Sequence, residues 1–241
     1  MIKVYGTNTV YEALLNNRVS KIYLNKSYSD QKTLALLNKK NIAITYLDRK
    51  ELDEMTNKQN HQGIVALVKE INPLDLSSLI KKVESVQFPI LIILDGLKDP
   101  HNLGAIIRSA DIFDVSGIII KKRDSVSIND TVEKVSTGAI NYVPICEVNN
   151  LTKAIEELKK HDYWIVGLEG EAKYTIETIP TDRKLVVIIG SEGEGISRLV
   201  KAHCDYLLKI PMAGHGHINS LNASNAAAIV LYEIFKRKWI L

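Results

Sequence analysis

Six short runs of apolar and β-branched residues between positions 90 and 210 constrain this chain more than any other feature. The first, ILIIL at 90–94, carries no polar residue at all. A strand without polar alternation is one covered on both faces, as in a parallel sheet. GIIIK (117–121), YVPICEV (142–148), YWIVGL (163–168), LVVIIG (185–190) and YLLKI (206–210) follow. Helical patterns at 103–114, 130–138, 151–161, 196–203 and 222–238 separate them. This alternation predicts an α/β fold with a mostly parallel sheet and helices on both faces.

Residues 1–70 show the same rhythm on a smaller scale. TVYEALLNN, DQKTLALLNKK and RKELDEMTN read as helices, and KIYLN, IAITYL and GIVALVKE as strands. They predict a small α/β domain over 1–70. The stretch 71–89, with Pro73 and Pro89 near its ends and a weakly amphipathic middle, reads as a linker or a bridging helix at the domain boundary. The larger domain then covers 90–241.

A formal net charge of +3 permits a nucleic-acid partner without demanding one. Cys146 and Cys204 sit in apolar stretches, as small buried hydrophobes do, which fits a reducing compartment. The opening residues lack a signal-like apolar run, and no stretch approaches the ~20 apolar residues of a membrane span. The expectation is a soluble cytoplasmic protein with no membrane partner.

Ligands of open parallel sheets bind beyond the carboxyl ends of the strands. The loops expected there are 95–102, 167–174, 190–197 and the stretch from 210 to the last helix, all rich in Gly, Asp, Glu, Ser or Asn. In DPHNLGAIIRSADIF, Pro100 sets the start of a helix and Asn102 suits its cap. Arg108 follows on an otherwise apolar helix. It is either a solvated surface cation or a group aimed at a phosphate or carboxylate.

IIGSEGEGIS has neither the glycine spacing of a dinucleotide fingerprint nor the Lys-Ser/Thr pair of a P-loop. Its carboxylates, Glu192 and Glu194, suit a cationic or neutral ligand, or the positive end of the following helix. Ser220, Asn222 and Ser224 gather at the start of the last helix, beside Ala223, Ala226, Ala227 and Ala228. His215 and His217 have a spacing that a metal can use, but no third and fourth ligand lies nearby in sequence, so no metal is expected.

With these stretches in hand, the chain resembles the SpoU/TrmH family of RNA ribose 2′-O-methyltransferases. DGLKDPHNLGAIIRSADIF, VVIIGSEGEG and the IPMAG to SLNAS segment look like its three motifs in order. HQGI (61–64) and VYGTNTVYEAL (4–14) resemble the additional N-terminal substrate-binding domain of the RlmB-like branch, which methylates a guanosine ribose in 23S rRNA.

The resemblance implies a C-terminal trefoil knot, a homodimer and S-adenosylmethionine as cofactor. It also implies an RNA partner, 23S rRNA in the first instance, bound by the N-terminal domain. It assigns Asn102, Arg108, Glu192, Ser220 and Asn222 to catalysis. Gly190, Ile210, Leu221 and Leu168 would surround the cofactor. Two departures stand out: the GHGHI loop is about two residues longer than is usual, and Asn225 replaces a residue that is usually apolar. A tRNA ribose methyltransferase, a catalytically silent RNA-binding relative and a nucleotide-dependent enzyme of another class remain as rival readings. The missing dinucleotide fingerprint weighs against the last.

Overall fold

The computed structural model describes residues 1–214 and 220–239. The chain divides into two compact units: Met1–Asn72 with Ile128–Tyr142, and Pro73–Ser127 with Val143–Leu241.

In the first unit the order is β1 (Ile2–Tyr5), α1 (Thr7–Leu15), β2 (Val19–Asn25), α2 (Gln31–Lys40), β3 (Ile44–Leu47), α3 (Arg49–Met55) and β4 (Ile64–Val68). The strands lie in the order β1-β4-β2-β3, with β4 antiparallel to both neighbours and β2 parallel to β3. Val10, Ala13 and Leu14 of α1 pack with Ile22, Leu24, Ile64 and Ala66 into one core. Two helices start on aspartates whose carboxylates accept amide protons of the first turn, Asp30 from Thr33 and Asp48 from Glu51. Sequence periodicity missed β1, because a four-residue edge strand next to a helix start carries little alternation of its own.

The same unit takes in α6 (Asp130–Val135) and a 3-10 turn at Ala139–Asn141. Glu133, 1% exposed, receives the Arg18 guanidinium in an ion pair, and Arg18 Nη1 also donates to Asn141 Oδ1 at 2.8 Å. A buried carboxylate needs such a partner, since removing its charge from water costs several kcal/mol, about the size of a domain's net stability.

The second unit holds α4 (Leu76–Lys82), β5 (Ile90–Asp95), α5 (Pro100–Ile112), β6 (Gly117–Lys121), β7 (Ile145–Val148), α7 (Leu151–Lys160) and β8 (Trp164–Leu168). It continues through β9 (Tyr174–Thr175), β10 (Leu185–Gly190), α8 (Arg198–Lys201), β11 (Tyr206–Lys209) and α9 (Ala223–Trp239). The seven strands run β7-β6-β5-β10-β8-β11-β9, and every pairing is parallel.

Leu91 and Ile93 of β5 share a core with Leu79 of α4, Ile155 and Leu158 of α7 and Val200 of α8. Ile92 and Leu94 alternate to the opposite face. On that side α9 packs on β10 and α5, with Phe113 against Tyr232 and Phe235. Helices therefore cover both faces, as the apolar strand runs require.

Of the two readings of 71–89, the structure shows a helix that packs into the second unit. From Pro73 onward the stretch groups with the second unit, and Leu79 and Val83 are buried in that core. Its short helix hides few apolar residues, which is why its periodicity reads as weak. Two expected helices are shorter. Positive φ at Thr137 and Gly138 ends the first after Val135, and the other spans only Arg198–Lys201.

Candidate functional site

In the second sheet the chain moves outward from β5 through β6 to β7, then crosses to the other side of β5, where β10 lies between β5 and β8. The crevice at such a reversal, beyond the carboxyl ends of the strands, is where open α/β sheets hold ligands. A cavity of about 330 Å³ lies on that edge, at the ends of β10, β8 and β11, on the far side of β10 from β5. Its walls are the segments after β8 (168–171), β10 (190–195) and β11 (Ile210 and Met212), closed by Ser220, Leu221, Ala223 and Ala226. All four residues expected around a cofactor, Leu168, Gly190, Ile210 and Leu221, line it, as do Glu192 and Ser220.

The segment after β10 is built by glycine. Ser191 and Gly195 exchange backbone hydrogen bonds of 3.1 and 3.0 Å, folding 191–195 into a tight turn. Gly193 and Gly195 take positive φ, where a side chain is strained. At Gly190 a Cβ would stand 2.0 Å from the carbonyl carbon of Gly195. Asp95, at the end of β5, is 7% exposed, and its Oδ2 accepts from the Ser197 amide at 2.8 Å, which anchors the far side of the loop. The sequence reading passed over Asp95. A carboxylate closing an otherwise apolar strand is the signal that marks it.

Asn102, Glu192 and Asn222 form a closed hydrogen-bonded triangle. Asn102 Nδ2 donates to Glu192 Oε1 at 3.0 Å, and Asn222 Nδ2 donates to the same oxygen at 2.5 Å and to Asn102 Oδ1 at 2.9 Å. The Ala223 amide approaches Oε1 at 3.4 Å. Glu192 thus joins the first turn of α5 to the start of α9. Asn222 Oδ1 accepts from the Ser224 amide and hydroxyl at 2.9 and 2.6 Å, which fixes the first turn of α9.

Asn102 is not the cap of α5. That helix begins earlier, with Asp99 accepting from the His101 amide and Pro100 at the first position. Asn102, 5% exposed, lies inside the first turn and is free to reach across to Glu192. Asn225, the polar departure, is exposed, where its side chain meets water. His215 and His217 lie outside the described residues.

Arg108 stands apart. It is exposed, about 9 Å along α5 from Asn102 and on a different face, and it is not part of the cavity wall. The cavity wall carries Glu169, Glu171, Glu192 and Glu194 and no Lys or Arg. Lys201 pairs with Glu169 at 2.5 Å from outside that wall. Such a lining attracts a cationic group and repels a bare phosphate.

Residues 89–232 match the family described as the SpoU rRNA Methylase family, and residues 3–74 match the domain described as RNA 2′-O ribose methyltransferase substrate binding. YacO of Bacillus subtilis (strain 168), assigned to the TrmH family of tRNA/rRNA methyltransferases, is 41% identical over 98% of this chain and 95% of its own. A protein of the same assignment from Staphylococcus haemolyticus (strain JCSC1435) is 40% identical over 98% of this chain and 96% of its own. Among solved structures, the SpoU methyltransferase AviRb from Streptomyces viridochromogenes, in complex with the cofactor AdoMet, superposes with a TM-score of 0.82 at 22% identity. It covers 98% of this chain and 89% of that one. An AdoMet-bound rRNA methyltransferase from Sinorhizobium meliloti gives 0.79 at 23% identity, over 99% and 87%.

Proposed function

This chain belongs to the SpoU/TrmH family of RNA methyltransferases, and from that premise we propose that it moves a methyl group from S-adenosylmethionine to the ribose 2′-hydroxyl of one RNA nucleotide. The substrate class we favour is a guanosine in 23S rRNA, the RlmB-like activity. The observation that carries the reading is the cavity whose wall brings Leu168, Gly190, Ile210 and Leu221 together beside the Asn102–Glu192–Asn222 triangle.

The residues present fit the cofactor. The cavity volume falls within the range of small-molecule sites. Its apolar side chains and open glycine backbone suit an adenosine, and its carboxylates suit a sulfonium and an ammonium group. When bound, S-adenosylmethionine supplies an electrophilic methyl whose bonding electron pair returns to sulfur on transfer.

The chain's own task is alignment and proton removal. Glu192, held by both asparagines, fixes the turn after β10 against α5 and α9, and Ser220 faces the same space. Arg108 holds the substrate phosphate and orients the ribose. A guanidinium with a pKa above ~12 is a poor base, so the hydroxyl proton goes to a phosphate oxygen or to water.

The reading includes the trefoil knot, and a homodimer that brings Arg108 to the partner's site. Ile112 on α5, 61% exposed, with Ile229 and Tyr232 on α9, supports an apolar interface on these two packed helices. The first unit, which holds residues 3–72 of the matched substrate-binding segment 3–74, would grip the RNA. No helix among the described residues is long and apolar enough to cross a membrane, and a cytoplasmic setting follows from an RNA substrate.

Calorimetric titration tests the cofactor. S-adenosylmethionine and S-adenosylhomocysteine bind, whereas NAD and ATP do not; binding of NAD alone would overturn the reading. Arg108→Ala abolishes turnover and spares cofactor binding, and near-normal turnover in that variant removes Arg108 from its role.

A further inference from the structure

β6 ends in Lys121, and Lys122 and Arg123 follow it. Register places this cationic run relative to the site. Leu94 of β5 is level with Ile120 of β6, so Lys121 stands level with Asp95 at the next step. Asp95 is level with Gly190 at the cavity wall. Two strand spacings separate Lys121 from Gly190, about 10 Å. Lys122 and Arg123 then pass beyond the edge of the sheet, on the same carboxyl edge as the cavity.

A second loop on that edge adds Lys98. The two loops are fastened together, because the Leu97 carbonyl accepts from the Val126 amide at 2.8 Å and from the Ser125 hydroxyl at 3.3 Å. Leu97 and Val126 are both buried, and Asp124 turns the chain with a φ of 58°. Lys98, Lys122 and Arg123 are exposed, and Lys121 is half-buried. Among the described residues none of the four is held in an ion pair. The acidic residues of the two loops are Asp99 and Asp124, and Asp99 already caps α5.

With only Asp99 and Asp124 beside them and no ion pair holding them, these four cations make a positively charged strip that draws a polyanion to this edge of the sheet. Resting on the reading of the chain as an RNA-modifying enzyme, we propose that Lys98, Lys121, Lys122 and Arg123 form a phosphate track. It carries the RNA backbone across the β5–β6 edge so that the nucleotide beyond it enters the site beside Gly190. The track touches phosphates and not bases. It therefore fixes position along the strand without reading sequence, and its contribution is salt-dependent.

The test is fluorescence-anisotropy binding of a labelled single-stranded oligouridylate over a salt series, with the full chain and K121Q/K122Q/R123Q. Each phosphate contact to a single strand contributes about 0.7 to the slope of log affinity against log salt, so the triple variant should lose about 2. K81Q/K82Q/K184Q removes the same charge elsewhere. Lys81 and Lys184 line a groove with Pro89, just before β10 and β5 begin, at the opposite edge. That variant should keep the wild-type slope. S-adenosylhomocysteine binding by calorimetry, unchanged in both variants, shows that the site is still folded.

An unchanged slope in K121Q/K122Q/R123Q, or an equal loss in both variants, overturns the track while wild-type RNA binding leaves the enzymatic reading standing. Absence of salt-dependent RNA binding by the wild-type chain also overturns the track, while methyl transfer into 23S rRNA then decides the enzymatic reading.

Discussion

At the scale of single residues, the site rests on one carboxylate oxygen shared by two asparagines. Asn102→Ala removes a donor from Glu192 Oε1 and the acceptor for Asn222 Nδ2. Hydrogen bonds to a charged group are worth about 1.5–3 kcal/mol. Turnover should therefore fall roughly 10- to 100-fold, at about 1.4 kcal/mol per decade. Steady-state kinetics checks this, and a kcat within twofold of wild type would show that the triangle is not needed. The triangle's members were legible in the sequence because each lies in a motif of polar residues beside a helix start. Their mutual bonds were not, since positions 102, 192 and 222 are far apart in the chain. Asp95 escaped for a related reason: its partner, the Ser197 amide, is a backbone group with no sequence signature.

At the scale of elements, Gly190 and Leu79 carry the sharpest expectations. Gly190→Ala puts a methyl group 2.0 Å from the Gly195 backbone, so the turn after β10 must open. Cofactor titration should show binding weakened at least tenfold, with a lowered melting temperature; intact affinity would mean that the turn is not part of the site. Leu79→Ala leaves a void under β5 and β6, and burial of this kind costs about 2–5 kcal/mol. Urea denaturation of that variant separates a packed α4 from a free linker, which would lose almost nothing. The central strands were legible because both faces are covered and their residues are continuously apolar. β9 was not, because two residues on a sheet edge carry no pattern. The limits of α6 and α8 depend on turn conformations that periodicity does not encode.

At the scale of the whole molecule, the buried Cys146 thiol, the half-buried Cys204 thiol and the buried Tyr163 phenol lower stability at alkaline pH. Burial, followed by Asp75 and Glu147, pushes Cys146 up to about 12; burial first and Asp205 next push Cys204 up to about 11. Burial pushes Tyr163 up to about 12. Unfolded thiols lose their protons near 9.0 while the folded ones keep theirs. The unfolded state then binds fewer protons, and stability falls as pH rises past about 9. For Cys146 the slope approaches about 1.4 kcal/mol per pH unit. Denaturant midpoints at neutral and alkaline pH check this, and a midpoint that rises with alkalinity contradicts it. The α/β class and the parallel sheet were legible from the spacing of strands and helices. The membership of 128–142 in the first unit was not, because it rests on pairs such as Arg18–Glu133 that join distant parts of the chain.

The most direct test of the central claim is methyl transfer from labelled S-adenosylmethionine into unmodified 23S rRNA, 16S rRNA and tRNA, followed by nuclease mapping. The account predicts label as 2′-O-methylguanosine at one position in 23S rRNA, absent with Arg108→Ala. Label on a base and not on a ribose, or no label in any RNA from a chain that binds the cofactor, would contradict it.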